Sequence, residues 1–372
     1  MSKKKKNIIN MSLLLVLFAV LFILEQTMSG GSMLITVLKK GAIYALIACS
    51  MNLLNGFTGL FSLGQAGFML LGAYTYAIFT IPVEARADVY QYFDGGIIQF
   101  TLPVIVAIVL AGIVAAAFAF LIGLPVLRLK SDYLAIATLG FAEIIRAFMM
   151  FEGLGPITNG SNLLKKFPTF STILFPFAVA AVCIALIVML INSSYGRAFK
   201  AIRDDEIAAE AMGVNLFKHK QTAFVISSFF AGIGGALLAM YQSTVQANAF
   251  KSAMTYEILL IVVIGGIGSI TGSILSSFLY IASSEWWLRF LDETAFIGNF
   301  QVPLLRSGFR MVVFSIIIMV IVLFYRQGIM GTREYSLDAL LRFFKNLPSK
   351  IKNLKLKKSK KESSDASEEV QA

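Results

Sequence analysis

The residues that could do chemistry in this chain are few, and they lie apart from one another in the sequence. The single histidine, His219, stands between two lysines, and Cys49 and Cys183 each lie inside an apolar run. One histidine cannot hold a metal ion by itself, and the cysteines lack the spacing of a zinc site or a disulfide framework. The sequence also contains no GxSxG, HExxH or GxxxxGK[ST] pattern. We therefore expect no metal site and no catalytic centre.

One pair of opposite charges lies inside an apolar run. Glu143 and Arg146 are three positions apart in a predicted helix, so their side chains can form an ion pair on one helix face. Charges at membrane depth are costly, and by default they are candidates for a functional role. A structural ion pair packed against a neighbouring helix explains the same two residues equally well, and the sequence leaves both alternatives open.

A second candidate region combines polar side chains with glycines at the junction of two apolar runs. Amide and hydroxyl groups in lipid are costly unless they are hydrogen-bonded, so these residues could line a path or bond neighbouring helices together. Both alternatives stay open. Together with a later threonine and a later glycine cluster, the residues that could line a path or break a helix are Asn52, Asn55, Ser62, Gln65, Thr138, Gly265, Gly266 and Gly268.

The glycine cluster lies in the apolar segment 258–287. As one helix this segment would be about 45 Å long, which is too long for one upright span and too short for two full ones. We therefore expect two short helices with a glycine-rich break, as occurs where backbone lines a cavity or is buried in protein. The alternative is one long tilted helix that uses its glycines for packing.

Composition places all these residues in a membrane protein. Of the 372 residues, 58% are apolar and only 14% are charged, whereas soluble domains carry about 25% charged residues. The expected fold class is therefore all-α, a polytopic helical membrane protein. Besides the glycine-broken segment, the runs predicted as helices are 8–24, 34–54, 60–81, 100–127, 133–150, 173–191, 222–240 and 309–324.

The positive charges predict the topology. The net charge is +11, but many basic residues flank apolar runs or lie in the tail, which indicates cytoplasmic flanks rather than nucleic-acid binding. If the glycine-broken segment passes twice, the chain has about ten crossings and both termini are cytoplasmic. Lys39, Lys40, Lys165 and Lys166 then lie outside and fit the rule poorly.

Three regions follow from this topology. Residues 1–32 hold cytoplasmic basic residues and a first helix, which we expect to be an uncleaved span rather than a signal peptide. Residues 33–330 form a transmembrane core with a cytoplasmic loop at 193–221. Residues 331–372 form a basic, partly disordered cytoplasmic tail, and such a tail attracts anionic membrane lipid.

The loop 193–221 is the longest hydrophilic stretch between predicted spans. Its residues Asp204, Asp205 and Glu206 suit the N-terminus of a helix, because acidic side chains interact favourably with that end. Alanine-rich sequence follows, and Gly213 is a natural stop. The pattern predicts a short, rigid cytoplasmic helix that can fit a groove in another protein.

This loop resembles the coupling loop of ABC importer permeases, whose pattern is Glu-Ala-Ala, three residues, then Gly. Residues 210–213, Glu-Ala-Met-Gly, are an imperfect version of it. Together with the stretches 52–74, 131–146 and 262–273, the loop makes the chain from about 40 to 330 similar to LivM-type permeases of branched-chain amino acid ABC importers. The sequence departs from that family at Gln65, where many members carry His, and in its long tail.

The resemblance implies a transport subunit that is not an enzyme, in a bacterial-type cell membrane. The implied partners are a homologous permease subunit in a heterodimer, two cytoplasmic ATPase subunits and an extracytoplasmic binding protein. The chain itself would bind no cofactor, since ATP and Mg are used by the ATPases. The residues implied in coupling to those ATPases are Arg203, Asp204, Asp205, Glu206, Ala209, Glu210, Ala211 and Gly213.

The substrate implied by the resemblance is a branched-chain, apolar amino acid. The alternatives are an ABC importer for urea, short amides or nucleosides, and, from a different class, a secondary transporter driven by an ion gradient. A secondary transporter usually carries more ionisable residues inside its spans, and only Glu143 and Arg146 clearly lie there. The coupling-type loop favours the ABC importer.

Overall fold

The structure is a computed structural model that describes residues 3–28, 31–129, 131–288, 296–297, 300–301, 312–313, 315–316, 319, 328–331 and 334. Residues 16–333 form one compact unit, and residues 1–15 with 334–372 form another. In the described parts the regular structure is helical, apart from an antiparallel pair, β1 (Phe296–Ile297) and β2 (Phe300–Gln301), and one isolated bridge. The expected helical class is confirmed.

Thirteen α-helices are seen among the described residues. In chain order they are α1 (Lys3–Thr27), α2 (Met33–Asn52), α3 (Gln65–Thr80), α4 (Val83–Val89), α5 (Val104–Val126), α6 (Ser131–Met150), α7 (Gly155–Thr158), α8 (Leu174–Ile191), α9 (Ser194–Asp204), α10 (Glu206–Ala211), α11 (Leu216–Gln242), α12 (Ser252–Gly265) and α13 (Ile270–Ala282). Five-residue π-helical turns extend α2 at Leu53–Phe57 and α13 at Ser283–Trp287.

Five of the described helical segments are long and apolar enough to cross a membrane, so the chain is a multi-pass membrane protein. They are Met33–Phe57, Val104–Val126, Tyr133–Met150, Leu174–Ile191 and Leu216–Gln242. The shorter helix α12 is also apolar. The count of ten crossings and the sidedness of the termini stay predictions. Most of the predicted span 309–324 and the tail beyond Glu334 lie outside the described residues.

Local backbone geometry shifts one helix boundary from the predicted one and produces the predicted break between two short helices. The apolar run 60–81 is helical only from Gln65, since the preceding residues 58–64 are not helical and Gly59 has a positive φ of 75°. The alternative of one long helix over 258–287 is wrong. Helix α12 ends at Gly265, and Gly266 and Gly268 have φ angles of 115° and 88°, which only glycine adopts easily. Residues 266–269 form the glycine turn between α12 and α13.

The centre of the core is α11, which packs against α2, α3 and α5. Small residues allow α3 and α11 to touch through their backbones: a Cβ on Gly72 would lie 2.0 Å from the carbonyl oxygen of Gly232. Likewise, a Cβ on Gly235 would lie 2.0 Å from the carbonyl oxygen of Met69. Such close approach is how helices associate in lipid, where van der Waals contact replaces the hydrophobic effect.

One end of this bundle, which we name the loop end, brings three separate chain segments together. The glycine turn contacts residues 328–331, because Ile329 and Met330 donate backbone hydrogen bonds to the carbonyls of Ile264 and Gly265. The last turn of α9 reaches the same place through Arg203. The loop 193–221, the glycine turn and residues 328–331 therefore lie on one side of the core.

Candidate functional site: the glycine turn and the coupling loop

The glycine turn is held by one amide side chain from α2. Asn52 Oδ1 accepts a hydrogen bond of 2.8 Å from the backbone N–H of Gly268. Its Nδ2 donates to the carbonyl of Ser269 at 2.9 Å and to Ser273 Oγ at 2.8 Å. Asn52 is fully buried, so these bonds form in a low-dielectric setting where losing them is costly. Asn52 thus fixes the conformation of the break.

Arg203 connects the loop 193–221, which we name the coupling loop after its predicted role, to this turn. Its Nη1 lies 3.4 Å from the carbonyl oxygen of Gly56, to which it donates a hydrogen bond. A Cβ on Gly59 would lie 2.9 Å from Arg203 Cγ, and one on Gly268 would lie 3.3 Å from Arg203 Nη1. The guanidinium therefore fits among three glycines. It meets the C-terminal end of the α2 extension, where carbonyls lack helical donors and favour a cation.

The coupling loop contains two short helices rather than one. Asp204 is the last residue of α9 and pairs with Arg203 at 2.8 Å, so within the acidic cluster the second helix begins after Asp204. Asp205 is the N-cap of α10, because its Oδ1 accepts hydrogen bonds from the N–H groups of Ile207 and Ala208 at 2.8 and 3.0 Å. Glu206 is the first helical residue, and it pairs with Lys220 of α11 at 2.7 Å.

Helix α10 ends as the sequence predicts. Gly213 has a φ of 83°, and its N–H donates to the carbonyl of Glu210, which closes the last turn. Of the predicted coupling residues, Ala209 packs inward, whereas Glu210 and Ala211 are exposed. Two large apolar side chains also point outward: Ile207 is 83% exposed and Met212 is 85% exposed. We name these two residues the apolar tip.

The polar residues near the α2–α3 connection bond to one another and to neighbouring helices. Asn55 and Ser62 form a reciprocal pair, in which the Asn55 amide binds both the N–H and the carbonyl of Ser62. Gln65 Nε2 donates to Ser50 Oγ at 2.7 Å. Thr138 Oγ1 accepts from the N–H of Leu63 at 3.0 Å. These contacts favour the structural alternative over path lining for this group.

Glu143 and Arg146 form the predicted ion pair, with Arg146 Nη2 2.6 Å from Glu143 Oε2. Both also reach beyond their own helix α6. Ser252 Oγ donates to Glu143 Oε1 at 2.6 Å, and Arg146 Nη1 donates to Asn248 Oδ1 at 3.4 Å. The pair therefore attaches α6 to the start of α12, at the end of α12 opposite the glycine turn.

Comparison with known protein families identifies the architecture that carries these contacts. The family described as the branched-chain amino acid transport system / permease component matches residues 33–323, which include both the coupling loop and the glycine turn. The chain belongs to this permease family. No solved structure matches the chain.

Individual relatives agree with the family assignment. The permease chain is 34% identical over 318 residues to the high-affinity branched-chain amino acid transport system permease protein LivM of Salmonella typhimurium, covering 76% of this chain and 69% of that protein. It is 35% identical over 277 residues to the Escherichia coli protein of the same name, covering 65% of this chain and 61% of that relative. Escherichia coli LivH is 21% identical over 273 residues, which cover 70% of this chain and 84% of LivH.

The permease also contains polar contacts that sequence reasoning missed. Lys40, which fitted the predicted topology poorly, pairs with Glu285 at 2.5 Å across α2 and the α13 extension. Arg86 of α4 is 2% exposed and donates hydrogen bonds to four carbonyls, and burial lowers the pKa of its guanidinium. These carbonyls belong to Ile78, Ile81, Ile98 and Phe100. No local pattern marks either residue, because their partners come from other segments.

A further ion pair lies on the surface, between α4 and the segment that precedes α8. Lys166 Nζ lies 2.6 Å from Asp88 Oδ2, and both side chains are largely exposed. The hydrogen bond and the positive charge of Lys166 hold the pKa of the Asp88 carboxyl below its ordinary value. Lys166, like Lys40, thus has an acidic partner, and both lysines are among those that the predicted topology places outside.

Proposed function

We propose that this chain is the permease subunit of an ABC importer for branched-chain amino acids in a bacterial-type cell membrane. It forms the translocation path together with a homologous permease subunit, as the presence of both LivM and LivH among its relatives suggests. Two cytoplasmic ATPase subunits, which use ATP and Mg, dock on it, and an extracytoplasmic binding protein delivers the substrate. The chain itself binds no cofactor and catalyses no reaction.

The observation that carries this proposal is the exposed apolar tip on α10. Large apolar side chains on a rigid, capped helix, exposed in a hydrophilic loop, are typical of a protein–protein contact. The tip lies beside acidic Glu210, and Ala209, which is 4% exposed, packs the opposite face of α10 inward. A small helix that projects from the loop end and is fixed at both termini fits a groove on an ATPase, as the family resemblance implies.

The proposed mechanism uses the contact between the coupling loop and the glycine turn at the loop end. ATP binding closes the partner ATPases, and their movement pushes α10. That push rocks the helices between inward-open and outward-open states, in which the glycine turn yields. Such coupling requires two global states and different contacts in each.

The substrate proposal rests on the family and on the names of its members. The relatives at 34% and 35% identity are named as branched-chain amino acid permeases. Urea, short amides and nucleosides are the alternative cargoes of an importer with this architecture. The binding protein chooses the ligand in such systems, so the partner rather than this chain would carry most of the specificity.

The first test is recovery of partners from mild detergent with a tag on the C-terminal tail, followed by mass spectrometry. The wild-type chain is compared with Ile207→Asp/Met212→Asp, in which the apolar tip becomes charged. Arg197→Asp, also exposed in the same loop, is the matched control. We expect a second permease and two ATPases with the wild type and the control, and loss of the ATPases alone with the tip variant.

The second test is transport. The recovered complex is reconstituted in vesicles with its binding protein, and uptake of labelled leucine is measured with and without ATP. We expect uptake only with ATP and the binding protein. A chain that is recovered alone and drives uptake in ATP-depleted vesicles would be a secondary transporter, and the importer proposal would then be wrong.

A further inference from the structure

Arg203 is the one described side chain of the coupling loop that donates a hydrogen bond to the α2 extension. It sits in the last turn of α9, two residues before the Asp205 cap of α10. Its side chain is 32% exposed, and its ion pair with Asp204 uses Nε and Nη2, which leaves Nη1 for the carbonyl of Gly56. One guanidinium therefore contacts both the chain that leads into α10 and the α2 extension.

Toward the α2 extension and the glycine turn, Arg203 meets glycines, which have no side chains that could give way. Gly56 and Gly268 approach each other so closely that a Cβ on Gly56 would lie 2.5 Å from the N–H nitrogen of Gly268. The same Cβ would lie 1.8 Å from Asn52 Oδ1. Arg203 therefore abuts a unit made of the α2 extension, Asn52 and the glycine turn. A displacement of Arg203 cannot be absorbed by a flexible side chain on the other side of the contact.

The glycine turn is the element best suited to change conformation when Arg203 is displaced. Gly266 and Gly268 both have positive φ angles, and the turn joins two helices of 14 and 13 residues that run in opposite directions. A small rotation at this turn moves the far ends of both helices, and the start of α12 carries the contacts to Glu143 of α6. Glycines at such a position can absorb backbone changes that other residues resist.

We propose that Arg203 is the positioning residue that transmits movement of the coupling helix to the α12–α13 hairpin. The inference rests on the proposed function, in which α10 is pushed by an ATPase. In it, the ATPase moves α10, the Asp205 cap moves the last turn of α9, and Arg203 carries that displacement to Gly56 and Gly268. The hairpin then tilts as one unit about the glycine turn. In this proposal Arg203 binds neither substrate nor nucleotide. Its role is to connect α10 with the α12–α13 hairpin.

The test reports on the turn itself. Ile267 lies in the glycine turn with 49% of its surface exposed, so Ile267→Cys places a reactive thiol there. The native Cys49 and Cys183 are buried and are replaced by Ala to remove background labelling. In the full complex with its ATPases, the labelling rate by a small maleimide is measured without nucleotide and with a non-hydrolysable ATP analogue. We expect the analogue to change the rate at least threefold.

Two variants then separate transmission from docking. In Arg203→Ala the ATPases should still be recovered with the chain, because the apolar tip is intact, but the nucleotide-dependent change in labelling should disappear. Arg197→Ala, six residues earlier in α9 and exposed, should keep the full change. Uptake of leucine should fall at least tenfold in Arg203→Ala and stay within twofold of wild type in the control.

Three results would overturn the inference while leaving the importer proposal standing. These are an unchanged nucleotide effect in Arg203→Ala, no nucleotide effect in the wild type, and loss of the ATPases from Arg203→Ala, which would make Arg203 a docking residue. If the wild-type chain instead recovers no ATPases at all, the proposed function fails and this inference fails with it. Assembly is measured separately from labelling, so the two failures are distinguishable.

Discussion

Asn52 Oδ1 accepts a hydrogen bond from the backbone N–H of Gly268 at 2.8 Å, across 216 positions of sequence. The side chain at the end of one apolar helix thus replaces the bond that an unbroken helix would have given to Gly268. Because Asn52 also donates to Ser269 and Ser273, one residue satisfies both the donor and the acceptors exposed by the break. The break is a specific, hydrogen-bonded element of the fold rather than a local failure of helix formation.

Replacement of Asn52 should therefore destabilise the protein. Asn52→Ala leaves the buried N–H of Gly268 without its partner, at a cost of about 1–3 kcal/mol, and removes the bonds that Asn52 donates to Ser269 and Ser273. We expect a clear drop in the unfolding temperature of the purified protein in detergent. The measurement is the temperature at which the monodisperse peak in size-exclusion chromatography is lost on heating. Asn192→Ala is the control, since Asn192 is exposed and bonds only within its own turn. Equal unfolding temperatures for the two variants would contradict the role given to Asn52.

The close contact of α3 with α11 makes a second prediction. Gly72→Ala places a methyl group 2.0 Å from the carbonyl oxygen of Gly232, so the two helices must separate. We expect poor yield or a cost of about 1–3 kcal/mol from overpacking. Gly140→Ala, also in a helix, meets nothing within 4 Å and should be neutral or slightly stabilising. Thermal unfolding of both variants in one detergent decides the matter, and a well-folded Gly72→Ala would count against the packing.

The Glu143–Arg146 pair allows its two alternatives to be separated. If the pair is structural, Glu143→Gln weakens the attachment of α6 to α12 by about 1 kcal/mol or less, because both side chains are partly exposed. Leucine uptake should then stay within twofold of wild type, and Ser252→Ala should show a similar small loss of stability. Uptake that falls tenfold or more with unchanged unfolding temperature would assign the pair to transport.

Outside the loop end, we expect the largest loss of stability from replacement of Arg86. Arg86→Leu removes a buried cation that binds the carbonyls of Ile78, Ile81, Ile98 and Phe100. Hydrogen bonds to charged groups contribute about 1.5–3 kcal/mol each, and unpaired carbonyls add their own cost. We expect unfolding at markedly lower temperature, or cleavage of the 81–103 segment by added protease. Lys165→Leu removes an exposed positive charge in the segment between α7 and α8 and should change neither measurement.

Much of the fold follows from the sequence because helices in lipid need long apolar runs. The spans at 100–127, 133–150 and 173–191 appear as α5, α6 and α8 with ends shifted by a few residues. The break near Gly265 was also predictable, because only glycine tolerates the φ angles found at Gly266 and Gly268. These are local properties, and local properties can be read from one chain.

The contacts of the candidate site were less accessible to sequence reasoning. The acidic cluster 204–206 predicted a helix start without saying which acid is the cap. The cap is Asp205, because three adjacent acids suit the same role and only backbone geometry chooses among them. The partners of Asn52 and Arg203 lie 216 and 147 positions away, so no spacing rule could join them. The apolar tip was missed because Ile207 and Met212 look like the buried face of a helix that in fact has nothing to cover it.

The glycine-lined contact of α3 with α11 also limits the ways in which the protein can move. At Gly72 and Gly235 the two helices touch through their backbones, and no side chain lies there that could re-pack, so sliding of one helix against the other would break these contacts at once. Helix α5 joins the same unit, since a Cβ on Gly232 would lie 2.7 Å from the carbonyl oxygen of Ala111. These three helices therefore form a rigid frame, and the proposed transport mechanism would have to place its movement in the elements packed around that frame.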